Sequence, residues 1–343
     1  MDGCLSCKAC ATQCPIHVDI PTYKAKFLQL YYRQFRRPLR DYLIANIETI
    51  LSIQSKLPRF WNSITQNPLS SFLFKHTLKL RDLPPLTQNP NHHLTFSHQH
   101  NHHSSPLNIP NVTLIQDAFT SFCDAPVLSD MVTFLNKMGL SVEVHPFFKN
   151  GKPLHITGFL DAFTKQVNQN SRLLKELTQS GQPLMGIEPS MTLVYRDEYC
   201  QCLKQKDPGF KVLLPQEFLS LHLDRLPKLT QPTHDFYLMS HCTEQTAEYN
   251  SQTQWKTIFE KMGLNLEIVP VGCCGMAGMY GHDTHHHTHS KHIYDLSWKN
   301  AIEKHSIQPH QLLVTGYSCR TQVKRISHFR PAHPIQALLN SIK

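Results

Sequence analysis

The chain contains an internal repeat, and this repeat restricts its possible folds more than any other feature of the sequence. Residues 112–151 align with residues 236–275 at an offset of 124, which places Gly139 opposite Gly263. Each copy reads as a strand, a helix, a glycine turn and a second strand, followed by a further helix and strand. Such alternation predicts a parallel sheet with crossover helices. The period is too long for a solenoid, so we expect an α/β fold with two duplicated subdomains.

Four closely spaced cysteines give the second constraint. Cys4, Cys7, Cys10 and Cys14 follow the spacing C-x2-C-x2-C-x3-C, and Pro15 comes directly after them. This is the bacterial ferredoxin run, whereas zinc sites usually pair C-x2-C with a second pair well downstream. The run therefore predicts a [4Fe–4S] cluster. In two-cluster ferredoxins the fourth cysteine ligates the other cluster, so Cys14 either completes the local cubane or serves a cluster whose other ligands lie elsewhere.

Helical patterns follow the cysteine run. Apolar residues recur at helical spacing at Phe27, Leu30, Tyr31 and Phe35, and residues 39–57 continue as a second helix. Prolines and histidines then mark a linker. The expected domains are a [4Fe–4S] ferredoxin-like helical segment at 1–82, a linker at 83–110, a degenerate cysteine-rich-type α/β repeat at 111–205 and a cysteine-rich α/β repeat at 206–343.

The second copy of the repeat carries thiols that the first copy lacks. They are Cys242, Cys273, Cys274 and Cys319, and the corresponding residues of the first copy are Ala118, Lys149, Asn150 and Pro189. The thiols lie on three loops after predicted strands, where open α/β sheets place their sites. Their convergence predicts a metal site or a thiol redox site, with His241 as a candidate ligand or proton donor. The alternative is that they are buried as small hydrophobic residues.

Composition narrows the class of protein and its compartment. The 343 residues carry 34 lysines and arginines against 25 acidic residues, a formal charge of +9. The basic residues are scattered in short groups, which does not favour a nucleic-acid partner. No long apolar run predicts a membrane span, and the start does not resemble a signal peptide. The eleven cysteines then indicate metal or redox chemistry in the cytoplasm, or at the periphery of the inner membrane.

The chain resembles the C-terminal region of large bacterial FAD-linked oxidases, the D-2-hydroxyglutarate dehydrogenase-like enzymes that carry a fused iron–sulfur region. The CCG motif also resembles the cysteine-rich domain of the wider heterodisulfide reductase family. The resemblance runs nearly from end to end. It rests on the stretches MDGCLSCKACATQCPIHVDIP, QDAFTSFCDA, NGKPLHITGFL, YRDEY, VGCCGMAGMYGH, TGYSCRTQVKR and HPIQALL.

This resemblance implies an iron–sulfur electron-transfer portion of an FAD-dependent 2-hydroxy-acid dehydrogenase, of the D-2-hydroxyglutarate or D-lactate type. In the family the flavin domain and a further cysteine run lie upstream, so we expect a split or truncated form that is inactive alone. FAD would then sit on a partner subunit or domain, and the acceptor would be a quinone or a redox protein. The wider family ends in C-x-x-C, but Gln322 stands three residues after Cys319. The cofactor expected at the CCG site is therefore either iron–sulfur or zinc.

Two other function classes stay open. The chain could be a stand-alone thiol-dependent reductase of the heterodisulfide-reductase type, with Cys273 or Cys274 as a nucleophile of low pKa. It could also be a non-catalytic zinc-binding module, which predicts a colourless protein with stoichiometric zinc.

Overall fold

A computed structural model describes residues 3–16, 18–87, 112–229 and 235–342. Within these ranges a helical N-terminal segment is followed by two parallel sheets with flanking helices. The predicted α/β class with parallel sheets is confirmed, whereas the ferredoxin-type and cysteine-rich-type arrangement of the subdomains stays a prediction. Most of the predicted linker, from residue 88 onward, lies outside the described residues. Among the described helices, none is both long and apolar enough to cross a bilayer.

The helices before the sheets are α1 (Ala9–Gln13), α2 (Ile20–Gln34), α3 (Leu39–Ala45), α4 (Ile47–Gln54), α5 (Pro58–Thr65) and α6 (Pro68–Thr77). The first repeat contains β1 (Val112–Leu114), α7 (Ala118–Cys123), α8 (Ala125–Lys137), β2 (Val142–Val144), α9 (Lys152–Ile156), α10 (Leu160–Gln179), β3 (Leu184–Met185), α11 (Pro189–Thr192), α12 (Glu198–Leu203), β4 (Val212–Leu213) and α13 (Pro215–Ser220). The second contains β5 (Asp235–Met239), α14 (Cys242–Ala247), α15 (Ser251–Met262), β6 (Asn265–Ile268), α16 (His287–Tyr294), α17 (Asn300–Lys304), β7 (Leu312–Val314), α18 (Tyr317–Ser327) and α19 (Pro334–Ser341).

Local signals in the N-terminal segment explain where its helices begin and end. Asp19 caps α2 by accepting a hydrogen bond from the backbone N–H of Thr22, and Pro21 occupies the first turn. The single helix predicted over residues 39–57 is wrong, because the chain forms two helices, α3 and α4, that are separated at Asn46. Asparagine is a poor interior helix residue and is tolerated well at a boundary.

The two sheets share one topology. The order of strands is β2-β1-β3-β4 in the first sheet and β6-β5-β7 in the second, and all neighbouring strands are parallel. A parallel bridge between Leu313 and Ala332 takes the position that β4 has in the first sheet. The strand β4 lies beyond residue 205, where the boundary between the repeats was expected, yet it pairs with β3.

The third strand of each sheet changes the correspondence between the copies. Leu184 in β3 and Leu312 in β7 occupy the same position, because they pair with residues of β1 and β5 that are related by the original offset. The offset from this strand onward is therefore 128, as from Leu184 to Leu312. Cys319 thus corresponds to Met191, and the correspondence with Pro189 expected from the sequence was wrong. The connection before the third strand is longer in the second copy.

The two repeats share a hydrophobic core because each contributes a helix that packs on the other. Helix α13, which follows β4, packs on α15 of the second repeat, and α19 packs on α8 of the first. Buried side chains from both repeats, including Leu128, Phe218, Trp255 and Leu338, form a single cluster. Neither repeat can therefore be separated from the other without exposing core residues.

Replacing Phe218 by alanine tests this shared core. Phe218 is fully buried, so we expect Phe218→Ala to lower the free energy of unfolding by about 3–5 kcal/mol. Both repeats should still unfold in one cooperative transition. Urea unfolding followed by circular dichroism measures the loss, and hydrogen exchange measures each repeat. Leu221→Ala, at a 68% exposed position just after the same helix, is the matched control. Separate transitions for the two repeats would contradict the shared core.

Candidate metal centre

The second sheet brings the four thiols of its repeat to one edge. Cys242 is the first residue of α14 and follows β5, Cys273 and Cys274 lie on the loop after β6, and Cys319 lies in the first turn of α18 after β7. Because the three strands are parallel, their carboxyl ends meet at the same edge of the sheet. The topology therefore assembles thiols that are far apart in the sequence.

These four thiols form a continuous chain of contacts. The Cys242 and Cys274 thiols both lie within hydrogen-bonding reach of Cys273, and Cys319 lies within reach of Cys274. The bonds from Cys242 and Cys274 hold the pKa of Cys273 well below its usual range, and they raise the pKa values of the two donors. The backbone N–H of Gly275 also donates to the Cys273 sulfur, at 3.4 Å. Cys273 is thus the thiol that the site favours as a thiolate.

Gly275 shapes the turn that carries these thiols. Its φ is +83°, in the left-handed region, and a Cβ at this position would lie 2.2 Å from the backbone oxygen of Ser290. Both conditions require glycine. Gly151, the corresponding residue of the first repeat, has the same φ. The two repeats therefore have the same turn, although they place different side chains on it.

His241 serves as the cap of α14. Its Nδ1 atom accepts a hydrogen bond from the backbone N–H of Thr243 at 3.1 Å, and its Nε2 atom lies 3.4 Å from the Ser318 hydroxyl. Asp117, the corresponding residue of the first repeat, caps α7 in the same way. Burial lowers the pKa of His241 to about 4, so the ring is neutral. In this arrangement its proton is on Nε2, and ligation of a metal through Nε2 would need the other tautomer.

A buried carboxylate from the N-terminal segment closes the corresponding turn of the first repeat. Glu48 of α4 accepts hydrogen bonds from the backbone N–H groups of Asn150 and Gly151, both at 2.9 Å. The Asn150 side chain also donates to the Met191 carbonyl oxygen at 2.7 Å. Burial raises the pKa of Glu48 to about 7. In the first repeat, Glu48 and the Asn150 side chain therefore occupy the position that corresponds to the thiol site.

The N-terminal cysteine run faces the thiol site of the second repeat. Its backbone curls through left-handed φ angles at Ser6 and Lys8 before α1 begins. Burial raises the pKa of the Cys7 thiol, and the neighbouring thiols Cys273, Cys10 and Cys4 raise it further. Helix α1 also contacts α14. Cys7 therefore lies close enough to Cys273 for their charges to interact.

A buried ion-pair network holds the cysteine run in this position. The Lys8 ammonium group lies 3.5 Å from Asp19 and 3.4 Å from Glu198, and it also pairs with Asp197. Lys152 pairs with Glu198 from the other side. Burial alone would raise the pKa of Glu198, but Lys152 and Lys8 hold it at about 2. All three charged residues of the YRDEY stretch thus form ion pairs within the protein.

A largely apolar cleft lies beside the thiol site of the second repeat. Leu5 and Ser6 of the N-terminal run line it together with Cys242, Cys273 and Cys274. Its volume is about 120 Å³, which is smaller than a typical small-molecule pocket. Residues of the N-terminal run and thiols of the second repeat therefore border the same cleft.

The donor atoms of the two sites suit a soft metal, since thiolates favour iron–sulfur clusters and zinc. No three His, Cys, Asp or Glu side chains in the described ranges already surround a single metal-sized position.

Gln322 is fully buried, with its amide N–H group bound to Ser290, and its Oε1 atom has no partner among the described residues. A buried hydrogen-bond acceptor without a partner is rare in folded proteins.

Sequence reasoning missed Lys8 and Glu48. Lys8 lies within the cysteine run, and its positively charged side chain cannot serve as a metal ligand. Glu48 is the only acidic residue of the apolar stretch from Tyr42 to Ile53. In each case an isolated charge in an unexpected place was the available signal, because buried charges need partners.

Comparisons with known proteins agree with the resemblance drawn from the sequence, because bacterial proteins named D-2-hydroxyglutarate dehydrogenase match nearly the whole of this chain. It is 40% identical over 351 residues to D-2-hydroxyglutarate dehydrogenase of Escherichia coli (strain K12), covering all of this chain and 34% of that protein. It is 38% identical over 356 residues to the enzyme of the same name from Pseudomonas putida (strain KT2440), covering 99% of this chain and 34% of that enzyme. The chain thus spans about a third of the length of the curated relatives that it matches.

A more distant relative is a component of another dehydrogenase. The chain is 26% identical over 239 residues to one of the subunits of the anaerobic glycerol-3-phosphate dehydrogenase of Escherichia coli (strain K12). That match covers 67% of this chain and 59% of the relative. No protein-family model matches the chain.

The buried Glu48 carboxylate should make stability depend on pH. Its pKa is raised from 4.5 to about 7, so the folded state holds a proton that the unfolded state loses within this interval. The stability from this proton is complete below about pH 4.5 and is lost as the pH rises through 7. Relative to the wild type, Glu48→Gln should gain about 3 kcal/mol in free energy of unfolding as the pH rises through this interval. Urea unfolding across pH gives the difference, and Glu260→Gln, at an exposed carboxylate, should show none. A pH-independent difference would mean that Glu48 has the same pKa in the folded and the unfolded state.

Removing the Lys8 cation should release the cysteine run. Lys8→Met leaves Asp197 and Glu198 with fewer partners in a buried setting, which is costly. In metal-free protein we expect iodoacetamide to alkylate Cys7 at least about tenfold faster, and peptide mass spectrometry measures the rate. Cys319, which is 1% exposed, should react as slowly as in the wild type, which excludes global unfolding. Lys26→Met, at an exposed position, is the control. Equal Cys7 rates in all three proteins would show that the network does not hold the run.

Proposed function

We propose that the chain is the iron–sulfur electron-transfer portion of an FAD-dependent 2-hydroxy-acid dehydrogenase, which passes electrons from a flavin to an acceptor. The observation that carries this proposal is the juxtaposition of the two cysteine sites. Helix α1 of the N-terminal run contacts α14, and Cys7 lies close enough to Cys273 for the charge of Cys273 to raise its pKa. Two thiol sites that lie close together can relay electrons over a short distance. If each site only stabilised its own loop, the two sites would not need to lie close to each other.

In this proposal Cys4, Cys7 and Cys10 hold a [4Fe–4S] cluster, with Cys14 as its fourth ligand or as a ligand of a cluster outside this chain. The second site would bind an iron–sulfur group or zinc through Cys242, Cys273, Cys274 and Cys319, with His241 as a further candidate ligand. An iron–sulfur group supplies one-electron chemistry when bound. The protein contributes the donors, the Gly275 N–H group at Cys273 and a largely apolar cleft beside the thiol site. These features tune the potential of such groups.

In this proposal the substrate and the flavin bind to the part of the relatives that this chain does not cover. Proteins named D-2-hydroxyglutarate dehydrogenase align with all of this chain over a third of their own length. We therefore place FAD on a partner subunit or domain, with D-2-hydroxyglutarate as the first candidate substrate and D-lactate as the second. The similarity to a protein named as a dehydrogenase subunit supports a role as a separate polypeptide. The acceptor would be a quinone or a redox protein.

The thiol chain supports a second candidate, a thiol-dependent reductase. The thiols of Cys242 and Cys274 hold the pKa of Cys273 low, which would make Cys273 the nucleophile. This candidate needs no iron at the second site and predicts turnover by the chain itself. A zinc-binding module is the third candidate, and it predicts neither iron nor turnover.

Metal content after anaerobic purification tests the proposal. We expect a brown protein with iron and acid-labile sulfide, and Cys7→Ala should lose most of the iron bound by the N-terminal run. Cys202→Ala is the matched control, because its thiol lies beside Thr164 and belongs to neither cysteine site. Cys14→Ala separates the two roles of Cys14, since equal loss with Cys7→Ala means that Cys14 completes the local cluster. Zinc without iron would overturn the proposal in favour of a zinc module.

Activity measurements separate electron transfer from catalysis. The chain alone should not oxidise D-2-hydroxyglutarate or D-lactate with an artificial electron acceptor, because the hydride chemistry needs a flavin. Adding a flavoprotein dehydrogenase partner should give turnover that falls when Cys7 is replaced. Turnover of a disulfide substrate by the chain alone, abolished in Cys273→Ala, would favour the thiol-dependent reductase instead.

A further inference from the structure

Helix α2 carries an apolar stripe on its outer face that nothing in the described structure covers. We call this the aromatic stripe, and it consists of Tyr23, Phe27, Leu30, Tyr31 and Phe35 just after the helix. Each of these side chains is between 40% and 60% exposed. The rings of Phe27 and Tyr31 stack at 5.7 Å between centroids, and those of Tyr31 and Phe35 at 4.4 Å. The stripe is therefore an ordered aromatic surface.

The fold of the chain itself does not need this stripe. The opposite face of α2 already packs on the first repeat, where Ala25 and Leu28 approach Gly158 so closely that a Cβ there would lie 2.6 Å from the Leu28 Cβ. Arg37 extends this contact by donating to the carbonyl oxygen of Gly158. The aromatic stripe is not needed for this contact, and about half of its surface stays exposed.

Exposed apolar side chains are also concentrated in one part of the chain. Among the described residues, 16 of the large exposed hydrophobic residues lie between positions 16 and 73, and the other three are Leu221, Tyr249 and Leu296. Soluble monomers rarely expose large apolar patches, and those that do usually use them to bind a partner. The concentration in one segment indicates a binding surface, since scattered surface residues would be distributed over the whole chain.

The exposed charges of the helix that carries the stripe are positive, and one acidic residue of the first repeat, Asp161, lies 3.9 Å from Arg33. Lys26, Arg33 and Arg36 are exposed on the same helix, or just after it. None of the three acidic residues between positions 16 and 73 is exposed. A complementary surface would therefore be apolar at its centre and acidic at its rim, which suits a protein partner.

We propose that the aromatic stripe docks a protein, namely the polypeptide corresponding to the two thirds of the D-2-hydroxyglutarate dehydrogenases that this chain does not cover. This inference rests on the proposed function. The relatives align with all of this chain but extend well beyond it, so in them this region has a covalently joined neighbour to contact. Tyrosine, phenylalanine and arginine are the residues enriched in such interfaces.

Binding of a separately produced partner tests the stripe. The probe is the part of Escherichia coli D-2-hydroxyglutarate dehydrogenase that this chain does not match, used as a purified polypeptide with its own unfolding transition. Light scattering after size exclusion should show a one-to-one complex with the full chain. The double variant Leu30→Ser/Tyr31→Ser should weaken binding at least about tenfold. The matched control Leu296→Ser/Tyr249→Ser removes the same residue types from exposed positions outside the stripe, and it should bind as the wild type does.

The remaining outcomes overturn the proposal and identify the alternative. If no complex forms, or if the stripe variant and its control bind equally, the stripe does not dock this protein. Concentration-dependent dimers that only the stripe variant abolishes would assign the stripe to a second copy of the chain. Flotation with phosphatidylglycerol vesicles that depends on the stripe would assign it to an anionic membrane. Complex formation is measured without turnover, so its failure in a protein that still holds iron leaves the proposed electron-transfer function standing.

Discussion

The exchange of helices between the two repeats is the constraint on which the rest of the structure depends. Helix α13 packs on α15 and α19 packs on α8, so one apolar face of each sheet is buried in a core that both repeats share. Burial of large side chains such as Phe218 and Trp255 supplies the main favourable free energy of folding. Because this core fixes the two sheets relative to each other, it also fixes the loops at their carboxyl ends. The thiol site and the turn closed by Glu48 both depend on it.

The two repeats contain the same backbone turn, but a different side chain accepts its N–H hydrogen bonds in each repeat. Gly151 and Gly275 have the same left-handed conformation, so both repeats direct backbone N–H groups from the same position. In the first repeat the Glu48 carboxylate accepts two of these bonds. In the second repeat the Cys273 sulfur accepts the bond from Gly275. A buried N–H group without an acceptor is costly, so each copy supplies an anionic or polarisable acceptor, and only the second copy supplies one that can bind metal.

Buried charges determine where the N-terminal cysteine run lies. Lys8 and Glu198 are both removed from solvent, and each alone would carry a large desolvation cost. That cost is offset only when Lys8, Glu198, Asp197 and Lys152 are all in place. The network therefore favours the observed arrangement of the run, in which α1 contacts α14 beside the thiol site. Such an arrangement suits a relay, in which the separation between two sites matters more than the stability of either one.

Local sequence determined the class of the fold and the composition of the site. Alternating strands and helices gave parallel sheets, Asp19 and Pro21 marked the start of α2, and the repeat identified which copy carries thiols. These features depend on neighbours in the chain, which periodicity and capping rules describe. The aromatic residues of α2 had the spacing of a helix, but the spacing did not reveal that this face stays exposed.

Only the tertiary structure decided which distant residues meet. Glu48 lies 102 positions from Asn150, whose N–H group it binds, and Lys8 lies 189 positions from Asp197. The shift from Pro189 to Met191 came from the pairing of the third strand, and the break at Asn46 divided a helix that its apolar pattern made continuous. Contacts of this kind depend on the packing of the whole core, which the pattern of apolar and polar residues along the sequence does not reveal. The thiols could be named from the sequence, whereas their position opposite a second cysteine site could not.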